Sequence, residues 1–464
     1  MTEAEKRTEI FERMPVRRAV QKQIIPAVAG QMIALIYNLA DTYFVGMLND
    51  PNETAAVTVV SSSFLMLTAI SNLFGVGGAS LLARCLGQRD TEGARRTAGI
   101  SFWWGMIGGC AFSAAFLALA SPILTLCGAD ADTYALAFGY AKWTVVIGGP
   151  ATILNTLLAN LIRAEGGAVA AAAGVSFGGL LNIALDPLFV LPAFLGYGAV
   201  GAGAATALSN IAAMLFFLVY LLVRRRTTLV SLDVRHLRYT RVQLPRILSV
   251  GLPSAVQYAL TVVAVSAQMH FVSAYGTAAI AGLGIVKKLD QLPLYFSMGV
   301  ANGLLPLLAY NYAAGNHRRR RDVFRLGCFV SVAFALLCLV CYELFAPALV
   351  GLFIDDAATQ QYGAAFLRIM VTAMPLMAVC YPMIIQFQAM GKAKASLVCS
   401  VLRKGVLDIP LLFLLDGLLP LYGCMMVQPI VDAVSLVAAV VFYRASIGPR
   451  RRKAARLPER IPRF

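Results

Sequence analysis

GGLLNIALDPLFVLP, residues 178 to 192, places a carboxylate, Asp186, in the outer third of a segment otherwise apolar enough to lie in lipid. Asn182 sits one helical turn below it. An ionised Asp near mid-membrane costs about 2.5 to 3.5 kcal/mol, so such a residue implies a function and a partner. The partner lies 145 residues upstream, where IYNLADTYFVG (36 to 46) carries Asp41 with Tyr37 one turn before it. Residues four apart share a helix face. Two such stripes facing each other make a small acidic, oxygen-rich chamber inside the bilayer.

Composition agrees with a bilayer setting. With 59% hydrophobic residues, 13% charged and a mean hydropathy of +0.74 over 464 residues, the chain reads as an integral membrane protein. A membrane helix needs roughly 20 mainly apolar residues, and twelve segments qualify: 24–48, 55–83, 97–120, 133–162, 167–191, 198–223, 247–273, 277–308, 326–346, 359–390, 393–415 and 420–443. None alternates apolar and polar residues as a membrane barrel strand does. The expected fold is all-α: twelve transmembrane helices in two six-helix, pseudo-symmetric bundles.

The net charge of +16 is explained by where the charges sit. With a cytoplasmic N-terminus, the inward segments 1–23, 84–96, 163–166, 224–246, 315–325, 391–395 and 444–464 hold 33 of the 39 Lys and Arg, and the six outward connections hold none. That is the positive-inside pattern, with both termini cytoplasmic. The runs RRR at 224, RRRR at 318 and RRRK at 450 are expected to set topology and meet anionic lipid headgroups, with no role for nucleic acid. No obligatory protein partner is evident. The nine Cys are scattered, and Cys338 and Cys341, a CxxC in an apolar helix, read as packing. Residues 6–20 have the makings of an amphipathic surface helix, though a solvated tail is the expectation; no cleavable signal pattern precedes the first helix.

The second half re-runs the first at an offset of about 222 to 228 residues. Pro26 answers to Pro253, LLARCLGQRD (81–90) to LLAYNYAAGNH (307–317), Gly99 to Gly327, YALAF (134–138) to YGAAF (362–366), DPLF (186–189) loosely to DIPLLF (408–413), and Gly201 to Gly423. An even number of helices per repeat means two bundles inserted the same way round, an arrangement suited to alternating access. The expected organisation is a cytoplasmic segment 1–23, an N-lobe 24–223, a basic linker 224–246, a C-lobe 247–443 and a basic tail 444–464. Small residues in GGPATILN, GVSFGG and GAVGAGAATALSN allow close helix approach within a bundle.

Polar residues within the first half are Tyr37, Asp41, Tyr140, Lys142, Asn155, Asn182, Asp186 and Thr206. Of these Asp41, Asn182, Asp186 and Thr206, with Tyr37 just below, share the outer part of helices one, five and six. Burial and a shared site both favour a protonated carboxylate, so the chamber can load a proton; the same oxygens are hard ligands that suit Na+, which would sit at Asp41, Asn182 and Asp186. The second half carries Lys287, Lys288, Asp290, Arg368, Arg403, Lys404, Asp408 and Asp432, with Lys404 and Asp408 spaced to pair along one helix. Some of these are expected to snorkel and others to line the cavity between the lobes. His270, the one membrane histidine, is expected to be structural.

These residues resemble a family. IYNLADTYFVG, GVGGASLLARCLGQ (75–88), LLNIALDPLFV (180–190), GAVGAGAATALSN (198–210) and GVANGLLPLLAYNYAAGNHRR (299–319), in this order over about residues 24 to 445, are similar to the multidrug and toxic compound extrusion (MATE) transporters. The likeness is to the bacterial branch related to the DNA-damage-inducible protein F and to Gram-positive multidrug exporters. It implies antiport of amphipathic, often cationic organic compounds against H+ or Na+ across a bacterial inner membrane, with no cofactor. It maps the coupling site onto Asp41, Asn182 and Asp186, with Tyr37 and Thr206 nearby. Tyr140, Asn155, Gln257, Lys287 and Gln291 are candidates for the cargo cavity. A lipid-linked saccharide flippase of the same superfamily is the alternative, since an anionic pyrophosphate would suit Lys287, Lys288, Arg368 and Arg403. A membrane enzyme lacks support: the sequence has no HExxH, and its membrane aspartates stand in different helices without an acid partner.

Overall fold

The computed structural model describes residues 3–48 and 50–447, so the basic tail from 448 onward lies outside the described residues. Among the described residues nine helices are long and apolar enough to cross a bilayer, and eleven are when each of two bent pairs counts as one span. In chain order the spans are α1 (Val16–Gly46), α2 (Pro51–Gly87), α3 (Thr91–Ala118), α4 (Tyr134–Ile147 and Gly149–Ala164), α5 (Ala168–Val190) and α6 (Gly198–Val223). There follow α7 (Thr240–Ser273), α8 (Thr277–Ala313), α9 (His317–Gly351), α10 (Ala357–Val371 and Met374–Ala389), α11 (Ala393–Val401, Leu402–Val406 and Asp408–Leu418) and α12 (Tyr422–Ile447).

The bends repeat with the sequence. α4 turns by 47° ahead of Pro150 and α10 by 46° ahead of Pro375. Each proline opens the segment after the bend, where its missing N–H leaves no helical hydrogen bond unmade.

α11, which that count leaves out, departs from expectation. The continuous helix read over 393–415 comes in pieces, Ala393–Val401, Leu402–Val406 and Asp408–Leu418. Lys404 (φ −140°, ψ 89°) and Gly405 (φ 145°, ψ −76°) leave helical geometry between them. Glycine alone takes such a φ without strain, which is why the chain breaks here. The pairing expected of Lys404 with Asp408 is lost with the helical turn. Lys404 instead donates to Gln428 Oε1 at 2.5 Å, and Asp408 accepts from the Gly405 N–H at 2.7 Å.

Buried apolar side chains separate by half at one end, into a set running from Val45 to Ala202 and another from Val272 to Val431. At the end bearing the basic loops one core, from Ile10 to Ala389, runs through both halves, with a smaller second-half cluster around Phe387 and Cys399 beside it. Missing side chains permit this closeness. A Cβ on Gly251 of α7 would collide with the Leu73 carbonyl oxygen of α2, and one on Gly303 of α8 would stand 2.8 Å from Ile24 Cα of α1. Ser80 Oγ donates to the Gln388 carbonyl across the same junction at 2.7 Å. Gly251→Ala is therefore expected to part the halves at the basic end. Overpacking costs about 1–3 kcal/mol, so reagent labelling of a cysteine placed at Ser80 should rise about tenfold; an unchanged rate would contradict the packing account.

The N-terminal segment is not the solvated tail expected. Phe11 is fully buried and stacks on Tyr310 at 4.9 Å. Arg7 pairs with Glu165 of the first half at 3.1 Å, while Arg319 of the second donates to the Phe11 carbonyl at 2.7 Å. Glu12 accepts from the Tyr310 hydroxyl at 2.6 Å. Two adjacent apolar residues, Ile10 and Phe11, bury against the shared core and draw the charged residues around them into a strap across the basic end. α1 consequently starts at Val16, ahead of the position read from hydropathy.

Candidate functional site

The first-half residues singled out in sequence come together. Asp186 is fully buried on α5, and its Oδ1 accepts from Asn182 Nδ2 at 3.1 Å, one turn earlier. The same Asn182 nitrogen reaches Thr206 Oγ1 of α6 at 3.4 Å. Asp41 of α1 interacts electrostatically with Asp186, and both act on Tyr140 of α4. Small residues bring the helices this close. A Cβ on Gly179 would stand 3.0 Å from the Tyr37 ring, so the ring lies on the α5 backbone; one on Gly203 would stand 2.9 Å from the Tyr140 carbonyl.

Below the carboxylates, Asn155 Nδ2 donates to Asn210 Oδ1 at 3.0 Å, and Asn210 Nδ2 donates to the Thr206 carbonyl at 2.9 Å. Asn210 was not singled out in sequence, although its position one turn past Thr206 is a signal for it. Tyr295 of α8 was also missed. It interacts electrostatically with Tyr37 of the other half, a proximity that no pattern within one segment records.

The chamber's unpaired atoms are of one kind. Asp41 Oδ1, Asp186 Oδ2, Asn182 Oδ1 and Asn155 Oδ1 are buried and accept no hydrogen bond. A buried polar atom without a partner is rare and calls for a ligand, a water or an ion. Carboxylate and amide oxygens are acceptors only, so a hydrogen-bond donor or a hard cation is what such atoms take. Among the described residues no group of three or more His, Cys, Asp and Glu could hold a resident metal.

Second-half candidates are more scattered. Gln257 donates to the Tyr381 hydroxyl at 3.4 Å and accepts from Ser400 at 3.5 Å. Lys287 and Gln291 are half-buried on α8, four residues apart on the stripe that continues to Tyr295. Arg403 and Asp432 form a buried ion pair of 2.8 Å, with Arg403 over the Tyr381 ring at 4.4 Å. Arg368 meets Glu343 at 3.9 Å with half its side chain exposed, and Lys288 is exposed. Lys142 and His270 are exposed as well.

The MatE family model matches residues 26–188 and again 253–414. These two stretches begin at Pro26 and Pro253, the prolines that opened the internal repeat. The chain is 28% identical over 431 residues to multidrug export protein MepA of Staphylococcus aureus (strain MRSA252), covering 93% of this chain and 94% of that one. Identity and coverage are the same for MepA of Staphylococcus saprophyticus. Among solved structures it is similar to the outward-facing conformation of a multidrug resistance MATE family transporter of the MOP superfamily, with a TM-score of 0.88, 26% identity and coverage of 95% of this chain and 98% of that one. A MATE protein in its bent conformation matches with a TM-score of 0.87 and 26% identity, over 97% and 99% of the two chains. A multi-pass helical protein whose two halves each match the family model over most of their length, the chain belongs to the MatE family, whose members are membrane transporters and not enzymes.

Proposed function

We propose that the protein is a secondary active antiporter of the bacterial inner membrane that exports amphipathic, cationic organic compounds in exchange for H+ or Na+. The observation that carries this reading is the set of orphaned buried oxygens on Asp41, Asn182, Asp186 and Asn155. An acidic pocket of this kind holds either a small cation or the cationic end of a cargo, and exchange follows when the two compete for it. The printed names of the relatives, multidrug export proteins, agree with such a cargo.

Alternating access supplies the motion. The halves pack together at the basic end and carry separate cores at the other. With basic loops cytoplasmic, this conformer opens outward. Reaching the inward-open state requires separation of α2 from α7 at Gly251 and release of the strap residues Arg7, Phe11 and Glu12. Topology is checked by cysteines introduced singly at Asn52 and Ala357 in a background without native cysteines. Both should label from outside intact cells; labelling only after permeabilisation inverts the orientation.

Export itself is tested in a host stripped of its own pumps, where expression should lower accumulation of a cationic dye. The half-buried Lys287 and its neighbour Lys404 are the features that favour a flippase for an anionic lipid-linked saccharide. Movement of such a lipid without any movement of dye would establish that reading instead.

A further inference from the structure

Two guanidinium groups, one from each half, lie on the turn Met390–Gly391 that joins α10 to α11. Arg84, in the last turn of α2, sets its Nη1 against Gly391, where a Cβ would collide with it. Arg320 of α9 is 3% exposed, and its Nη1 donates to Met390 Sδ. The same guanidinium stands over the Tyr312 ring of α8 at 5.6 Å, and Tyr312 interacts electrostatically with Arg84 as well. A third cation, Arg246 of α7, acts on Arg84 and is exposed, so the cluster opens to the surface at the basic end.

These charges lack counterparts. The Nε atoms of Arg84 and Arg320 are buried and have no acceptor. A thioether is a weak acceptor, and an aromatic face offsets only part of a buried charge. The carboxylates nearest in the chain, Asp90 and Asp322, make no ion pair with any of the three arginines among the described residues. Asp90 caps α3 instead, accepting from the Gly93 N–H at 2.8 Å. Buried charges are normally paired, and like charges brought together across a junction add repulsion. What such a set takes is an anion that accepts from several donors at once. Phosphate fits, because guanidinium groups grip its oxygens in pairs and the Tyr312 hydroxyl offers one donor more.

We infer that this cluster is a phosphate site and that its occupant holds the basic end closed. Arg84 belongs to the first half, whereas Arg246, Tyr312 and Arg320 belong to the second. The anion therefore bridges the halves in this conformer and loses part of its site when they separate, so binding favours the closed junction. The effect on opening rests on the alternating-access reading above. Free phosphate and the phosphate of an anionic lipid headgroup share the chemistry.

The test uses the delipidated full-length protein in maltoside micelles, which contain no phosphate, and reads closure from labelling of the cysteine placed at Ser80. Each rate is divided by that of the same variant in chloride of equal ionic strength, which removes any effect of the variant on the thiol. Inorganic phosphate at about ten times its dissociation constant should slow labelling of wild type about tenfold. Arg84→Gln and Arg246→Gln should abolish the slowing while unfolding at the wild-type temperature, and Arg84→Lys, which keeps the charge, should retain part of it. Phosphatidylglycerol added to the micelles in phosphate-free buffer distinguishes the sources. Slowing by the lipid alone makes a headgroup the occupant, and slowing by phosphate alone makes it the free anion; either supports the site. Slowing by neither, or equal slowing in wild type and both Gln variants, overturns it. Calorimetric titration with phosphate separates this failure from that of the transport reading: heat that Arg84→Gln abolishes, with labelling that neither phosphate nor Gly251→Ala changes, keeps the site and counts against alternating access at this junction.

Discussion

Asp41→Asn is expected to fold and reach the membrane but lose gradient-driven export, and Asp186→Asn to do likewise. Asn keeps the shape of Asp and removes its charge, so packing survives while the competition between ion and cargo does not. At Asp186 the substitution retains an oxygen for the Asn182 amide, which donates to Oδ1 at 3.1 Å, and replaces the unpaired Oδ2 with a donor. The chamber then presents an N–H where the account needs an acceptor. Asn182→Ala should do less harm, because it removes one oxygen and the hydrogen bonds to Asp186 and Thr206 but no charge. A hydrogen bond to a charged group is worth about 1.5–3 kcal/mol, so the defect expected there is roughly tenfold to a hundredfold in apparent ion affinity. Export at wild-type rates by both Asp variants would make the chamber structural and move the search to Asp290, Asp408 and Asp432.

The largest effect on stability is expected at Arg403. Its guanidinium and the Asp432 carboxylate are about 99% buried and 2.8 Å apart. Arg403→Ala leaves that carboxylate uncompensated, at a cost of about 3–5 kcal/mol, whereas replacing both partners by apolar residues is often neutral. Thermal unfolding in detergent should show Arg403→Ala far less stable than wild type and the double variant Arg403→Met, Asp432→Leu close to it. A single variant as stable as wild type would mean that the pair is not buried as described.

The chamber was legible in the sequence because a carboxylate in an apolar segment is expensive: Asp41 and Asp186 stand out against their surroundings, and Asn182, Tyr37 and Thr206 follow from helical spacing. The spans were legible for the same reason, since hydropathy records what touches lipid. It does not record whether a helix is continuous. The break in α11 was signalled only by Gly405, and the reading of Lys404 with Asp408 as an i,i+4 pair presumed the turn that Gly405 removes. The strap was hidden because Ile10 and Phe11 are too few to show a period within a charged stretch. Arg368 and Lys142 look intramembrane in sequence and are exposed in the structure. The approach of Tyr295 to Tyr37 depends on how the halves meet, which no segment encodes by itself.

The account turns on ion-driven exchange at the first-half carboxylates, and vesicle efflux measures that directly. Purified wild type and Asp41→Asn would be reconstituted at equal density, loaded with a fluorescent organic cation, and given a proton gradient or a sodium gradient separately. The account predicts that one of the two gradients drives wild-type efflux, that the other leaves only leak, and that Asp41→Asn stays at the leak rate under both. Efflux by Asp41→Asn equal to wild type, or wild-type efflux indifferent to both gradients, would contradict it.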